Sequence, residues 1–409
     1  FLAIVLVVTL GSCTRGSVGI FASIEQEVET QKSNLSENSA ITGVAQTDSH
    51  YFASLGNIAR RAITGSEWVG VGNPPGIESP ISVAFVQLGD PTSRTYYAAF
   101  NSQEGSDYGL FELTIDSSGT VSWTELDLDY DNSNNVAEIA ALIAVDTDLD
   151  GFNEELFASL RTGFLNSAPQ FALIRHPANA GTTPVTETTI QEDTDSLFDA
   201  ATNDGGTNIW FVGSKGGLYR LNGGTLTAVS GTSSDGYPES GNTVGTGFSG
   251  VYASDIEGSL TTPGLFISDG DGRVWVTTGT DPSTLSWSVS DLSNRAFTDM
   301  IWVPNAGNNG AGALLVGTKP VIQQGISDQG YYEVQITASG TSVTFDGLET
   351  PNSSTYDTSD LQDATVRTFY LPDEGTTAKS DNQVFVLTGG IGLWNVIYDT
   401  AGIPDVRWE

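Results

Sequence analysis

The chain has 409 residues, of which 38% are hydrophobic and 10% aromatic, and it carries 15 basic against 50 acidic side chains for a net charge of −35. That much apolar side chain can build a sizeable core, which excludes a disordered chain. The charge repels phosphate backbones and anionic lipid headgroups alike, so no nucleic-acid partner is expected. Abundant glycine (47) beside one methionine and two histidines reads as strands and tight turns. The acidity serves solubility, or in a few places the binding of divalent cations.

The first ten residues, FLAIVLVVTL, form an apolar run too short to span a bilayer and suited to the h-region of a secretory signal. There is no initiator Met and no basic stretch before it, so residues 1–12 read as a signal h-region and cleavage region with a truncated start. The run ends in Leu10-Gly11-Ser12-Cys13, whose sole cysteine excludes an intrachain disulfide. This segment resembles the lipobox of bacterial lipoproteins. The resemblance implies a diacylglycerol thioether on Cys13, a membrane partner through that anchor, and a place in the bacterial cell envelope. Thr14, where an Asp would favour the inner membrane, points to the outer membrane or cell surface. The plain alternative is a small residue near a cleavage site. Residues 13–40 then form a tether, in which residues 24–32 suit a short helix and residues 17–24 alternate weakly, as a ring-closing strand would.

From residue 41 onward the chain repeats itself. Gly-apolar-aromatic triplets recur at Phe111, Tyr219, Tyr332 and Trp394, with looser forms at Phe171 and Trp275, at spacings of 60, 48, 56, 57 and 62. A second mark, a tryptophan about a dozen residues later, recurs at Trp68, Trp123, Trp287 and Trp408 on the same period. Each unit parses as four short strands: one with small residues, one very apolar, one with the aromatic mark, and a more polar one. The units span residues 41–72, 81–128, 136–190, 196–230, 248–290, 296–346 and 364–409. That ranking suits radial packing, with small residues at the axis and aromatic wedges in the widening gaps, better than a sandwich. The expected fold is all-β: a single β-propeller of about seven four-stranded blades occupying residues 41–409. It resembles bacterial β-propeller lipoproteins as a structural class, without a WD dipeptide or a kelch double glycine recurring at the blade period.

Chemistry is sparse. Arg60-Arg61 is a rare basic doublet, read as a solvated strand face or an anion contact. Asp146, Asp148 and Asp150 followed by Gly151 have the D-x-D-x-D-G spacing of a calcium loop, with a backbone carbonyl at Phe152 and a further carboxylate at Glu154. Phe157 stands where an EF-hand would have its last Glu, so the motif instead resembles the Asp-rich loops of integrin-type FG-GAP repeats. The resemblance implies a structural Ca2+; the alternative is an acidic hairpin without an ion. Asp127-Leu128-Asp129-Tyr130-Asp131 and Asp269-Gly270-Asp271-Gly272 read as solvated turns. His50 and His176 fall in different units without a supporting motif, so no catalytic set is assigned. Residues 161–188 and 347–363 read as long insertions where binding specificity would reside. The expected role is a non-catalytic binding scaffold for a protein or glycan. A propeller hydrolase or lyase acting on extracellular polymer, and a structural part of an envelope or filament assembly, are the alternatives.

Overall fold

A computed structural model describes residues 40–409 apart from 104–106, 127–137, 166–167, 177–187, 194–195, 230–246, 257, 281–284, 292–294, 321–329 and 375–377. The lipobox-like segment with Cys13, residues 17–32, and the acidic run at Asp127 to Asp131 therefore lie outside the described residues. Seven antiparallel four-stranded sheets follow one another along the chain, each made from one contiguous stretch and ordered from first strand to fourth. The first strands are Gly43–Gln46, Pro80–Leu88, Glu138–Val145, Leu197–Ala201, Phe248–Ser254, Ala296–Val303 and Val366–Tyr370. They line a common axis, and the molecule is a seven-bladed β-propeller.

Packing explains why the ring holds. Each blade is flat and apolar on both faces, so it buries little alone and must stack on two neighbours. The buried apolar residues fall into seven clusters, and each cluster draws on two consecutive blades, the last joining blade seven to blade one. Aromatic wedges fill these seams at Phe111, Tyr219 and Trp394 as the repeat predicts, whereas in blade six the neighbour of the Tyr332 mark, Tyr331, is the one that enters the seam. A second aromatic series is more deeply placed. Six of the seven second strands carry a fully buried phenylalanine: Phe52, Phe100, Phe157, Phe211, Phe266 and Phe385. Phe157 and Phe211 meet edge to face at 5.2 Å between blades three and four, and Tyr51 meets Phe385 at 5.0 Å between blades one and seven. Edge-on contact places the positive ring edge on the negative face, a gain beyond burial.

Near the axis the inner strands approach too closely for side chains. A Cβ on Gly43 would lie 2.0 Å from the Phe85 carbonyl oxygen of blade two. Six of the inner strands also carry a register shift against their second strands, as between Leu197 and Asp199 or Phe297 and Met300. Such bulges turn a side chain off its expected face, and they set up the axial chemistry described below.

Three expectations need correction. Arg61 is not on a solvated face: it is buried, its Nη2 pairs with Glu409 at 2.7 Å, and its Nη1 donates to the Gly65 carbonyl. Its guanidinium also lies over Tyr51 and Trp68, so it joins the end of blade seven to blade one. Residues 161–176 are not a loop insertion but a hairpin extension, with Gly163 paired to Gln170 and Leu165 to Ala168. Residues 347–363 are likewise packed. The short helix Ser354–Asp357 begins at Ser353, whose side chain accepts from Thr355 N–H, and Tyr356 and Leu361 sink into the seam between blades six and seven. An aromatic and a leucine with nowhere apolar to go on a surface loop are what draw it in.

Because Arg61 and Glu409 are both nearly shut from water, at 8% and 12% side-chain exposure, removing one leaves the other an uncompensated charge. Arg61→Ala should cost about 3–5 kcal/mol in urea unfolding. Phe211→Ala, which leaves a cavity beside Phe157, should cost a similar ~3–5 kcal/mol. Values near zero would mean that these seams do not carry the ring.

Candidate functional site

The carboxyl ends of the inner strands gather at one mouth of the axial channel, and there the loops interlock. Blade seven sends a small hairpin, Asp373–Glu374 paired with Ala378–Lys379, out over this mouth. Asp373 is its anchor, with only 1% of its side chain exposed. It accepts from Arg94 Nη2 at 2.8 Å and Nε at 3.2 Å, from Lys379 Nζ at 2.6 Å and from Gln87 Nε2 at 3.3 Å. Its own N–H donates to Gln46 Oε1 at 2.7 Å. One aspartate thus ties blade seven to blades one and two, with two cations offsetting the cost of burying its charge.

The Asp-rich loop stands beside this hairpin, between the first two strands of blade three. Carboxylate oxygens of Asp146, Asp148, Asp150 and Glu154 all lie within 4.8 Å of one another. The loop folds on its own backbone. Asp146 accepts from Leu149 N–H at 2.6 Å and Gly151 N–H at 2.8 Å, Asp150 from Phe152 N–H at 2.8 Å, and Glu154 from Thr147 N–H at 2.7 Å. Gly151 supplies a positive φ of 91° that the turn requires, and Leu149 takes a strained φ of 64°. Burial, then the negative neighbours Glu154 and Asp150, push the Asp146 carboxyl up to about 7. Burial also raises Asp150 and Glu154. Phe152 is buried, with Lys379 Nζ 4.6 Å from its ring centre, so the hairpin and the Asp-rich loop touch.

Deeper in the axis lies chemistry that the sequence reading did not pick out. Asp199 of blade four and Asp299 of blade six line a central cavity of about 470 Å³. Asp199 accepts Val251 N–H of blade five at 2.8 Å. Asp299 accepts Met300 N–H at 2.7 Å, Phe369 N–H of blade seven at 3.1 Å, and the Thr368 hydroxyl. Both carboxyls are raised, mainly by burial: Asp199, which also feels Asp299, up to about 8, and Asp299 up to about 6. Arg367 lines the same cavity on an exposed bulge. No local motif marks these residues. A sequence signal exists only in hindsight, as an Asp in an otherwise small or apolar inner strand.

The other candidates are structural. Asp269 is fully buried rather than solvated, and it accepts Asp271 N–H, Arg273 N–H and Arg273 Nε. Asp116 and Asp399 build the same D-x-x-G turn in blades two and seven. His50 opens a strand and bonds Ser49 Oγ at 2.8 Å, while His176 closes the strand Ala168–His176. Their strands belong to blades one and three.

No family model and no curated protein matches this chain. Among solved structures, a chain in the crystal structure of a mitotic checkpoint complex is similar with a TM-score of 0.54 and 10% identity, over 90% of this chain and 94% of that one. A structure described as the Dos1 propeller aligns with a TM-score of 0.45 and 12% identity, over 68% of this chain and 65% of that one. At such identities the first likeness concerns the fold alone.

The raised carboxyls of Asp199 and Asp299 fix a pH dependence. A carboxyl that binds its proton more tightly in the folded state stabilises the fold below its unfolded value of 3.8, and that contribution is lost as pH climbs through about 6 and about 8. The chain should therefore melt at a lower temperature at pH 8.5 than at pH 5. Asp199→Asn, which keeps an acceptor for Val251 N–H, should flatten that difference. An unchanged slope in the variant would place the pH dependence elsewhere.

Proposed function

We propose that this chain is a cell-envelope lipoprotein whose propeller is a non-catalytic binding scaffold, held to the membrane through Cys13 and stiffened at one face by Ca2+. The observation that carries the reading is the convergence of four carboxylates within 4.8 Å beside a mouth already tied down by Asp373. Oxygen-only donors of this charge fit a hard cation of flexible coordination, and Ca2+ takes six to eight such ligands. Asp146, Asp148, Asp150 and Glu154 would hold the ion, with the Phe152 carbonyl as the fifth protein ligand. The ion would offset the burial and, after it, the mutual repulsion that raise three of these groups. Its work would be structural: it would lock the loop against the Lys379 hairpin and keep that face rigid for a protein or glycan partner. A scaffold reading also suits a site in which Asp146, Asp150, Glu154, Asp199 and Asp299 are all engaged in holding backbone.

Two measurements test this. Ca2+ added to chelator-stripped protein should raise Tm by several degrees, EGTA should reverse the shift, and Asp148→Asn should weaken Ca2+ affinity by about tenfold or more in calorimetry. Asp148 is exposed and bonds only within the loop, so its substitution spares the fold. A Ca2+ response that survives in Asp148→Asn would remove the metal assignment. Separately, metabolic labelling with palmitate in a bacterial host should mark the full-length chain and fail with Cys13→Ser; label retained by the variant would end the anchor proposal.

A further inference from the structure

The axial cavity itself has features of a ligand pocket that a scaffold does not use. Its volume, about 470 Å³, falls within the range of small-molecule sites, which combine apolar walls with a few placed polar groups. Its lining mixes apolar side chains, Leu142, Val251, Met300 and Phe369 among them, with polar ones, and Asp199 and Asp299 stand among the polar groups. These two carboxylates come from blades four and six, one blade apart, and the bulges of their strands turn them toward the axis. Their hydrogen bonds come only from neutral donors: Val251, Met300 and Phe369 N–H and the Thr368 hydroxyl. Among the described residues neither forms an ion pair with a lysine or arginine. Lys379, at the far end of the cavity, is committed to Asp373 at 2.6 Å. Asp373 shows the alternative within the same molecule: a buried acid that two cations satisfy. Asp199 and Asp299 have no such counter-charge, and Asp299 adds to the cost of charging Asp199.

We propose that the axial cavity binds a small organic cation, with its ammonium group between Asp199 and Asp299 and its carbon skeleton against the apolar wall. An ammonium group has three donors and suits carboxylates already fixed by backbone bonds. A bare divalent ion suits this pair poorly, because it needs six to eight oxygens drawn close, and oxygens of both acids are already taken up by Val251 and Phe369 N–H and the Thr368 hydroxyl. Arg367, at the amino-terminal end of its inner strand, would repel cations from its own side and so orient a ligand that also carries an acid. Asp146, Leu149 and Gly151 line the same cavity, but Asp199 and Asp299 stand on other strands, so the proposal holds whether or not that loop binds Ca2+.

Benzylammonium is a suitable probe, with benzyl alcohol as its neutral counterpart and Ca2+ as the inorganic control. Calorimetry on the full chain at pH 8.5, above the values of both acids, should show one benzylammonium site, with benzyl alcohol at least about tenfold weaker. The Asp199→Asn/Asp299→Asn double variant should lose at least about tenfold in affinity for the amine and little for the alcohol. Should the double variant fail to fold, amide chemical shifts of the unaltered protein decide the matter. Benzylammonium should move the Val251, Met300 and Phe369 N–H signals in a saturable way and leave Asp148 and Asp150, which do not line the cavity, in place. No binding at millimolar amine, equal affinity for the alcohol, shifts confined to the Asp146 loop, or Ca2+ displacing the amine from Val251 and Phe369 would each overturn the proposal.

Discussion

Everything in this molecule depends on the contact between neighbouring blades. A single four-stranded sheet has two apolar faces and cannot bury either alone, so the blade is stable only as a member of a ring. The fully buried phenylalanines of the second strands show where that stabilisation is concentrated: not at the axis, where backbone meets backbone across Gly43, but halfway out, where the gap first becomes wide enough for a ring. Ring closure needs no exchange of strands between blades. It uses an aromatic seam like the other six, reinforced by Arg61 and Glu409.

The fold was legible because it is periodic, and a period survives errors in individual strands. Aromatic marks at third strands and tryptophans near fourth strands lie in the sheet positions that their spacing implies. The second-strand phenylalanines were harder to single out, since each sits in a run of apolar residues and nothing local ranks Phe211 above Trp210 or Val212. Residues 161–176 were misjudged for a related reason: a bulge between Arg161 and Gly163 breaks the alternation that would have announced a continued strand. Arg61 could not have been placed at all without knowing that Glu409 returns to it.

The candidate site divides along the same line. The Asp146 loop is made by nine consecutive residues and was readable from spacing, down to the glycine that its turn requires. The rest of that mouth rests on pairings between Asp373 and residues about three hundred positions earlier, Gln46, Gln87 and Arg94. Only closure of the ring brings them within reach. Asp199 and Asp299 are further still from local inference, because 50 acidic residues offer no reason to choose two, and because a bulge reverses which face a residue occupies.

The distribution of charge at the axis follows from those constraints and bears on function. An acid withdrawn from water is tolerated when cations surround it, as at buried Asp373, or when backbone donors hold it, as at half-buried Asp199 and Asp299, and the two solutions differ in what they leave undone. Cations cancel the charge; amide dipoles only lower its cost. Around one axis the molecule therefore carries a neutralised acid that fixes a hairpin and two sets of acids that remain hungry for positive charge, one at the mouth and one within. In a protein with so few cationic side chains, intramolecular neutralisation is a limited resource, and it has been placed where geometry must be rigid. The acids left without it are where the chain has most to gain from a cation supplied by the solvent.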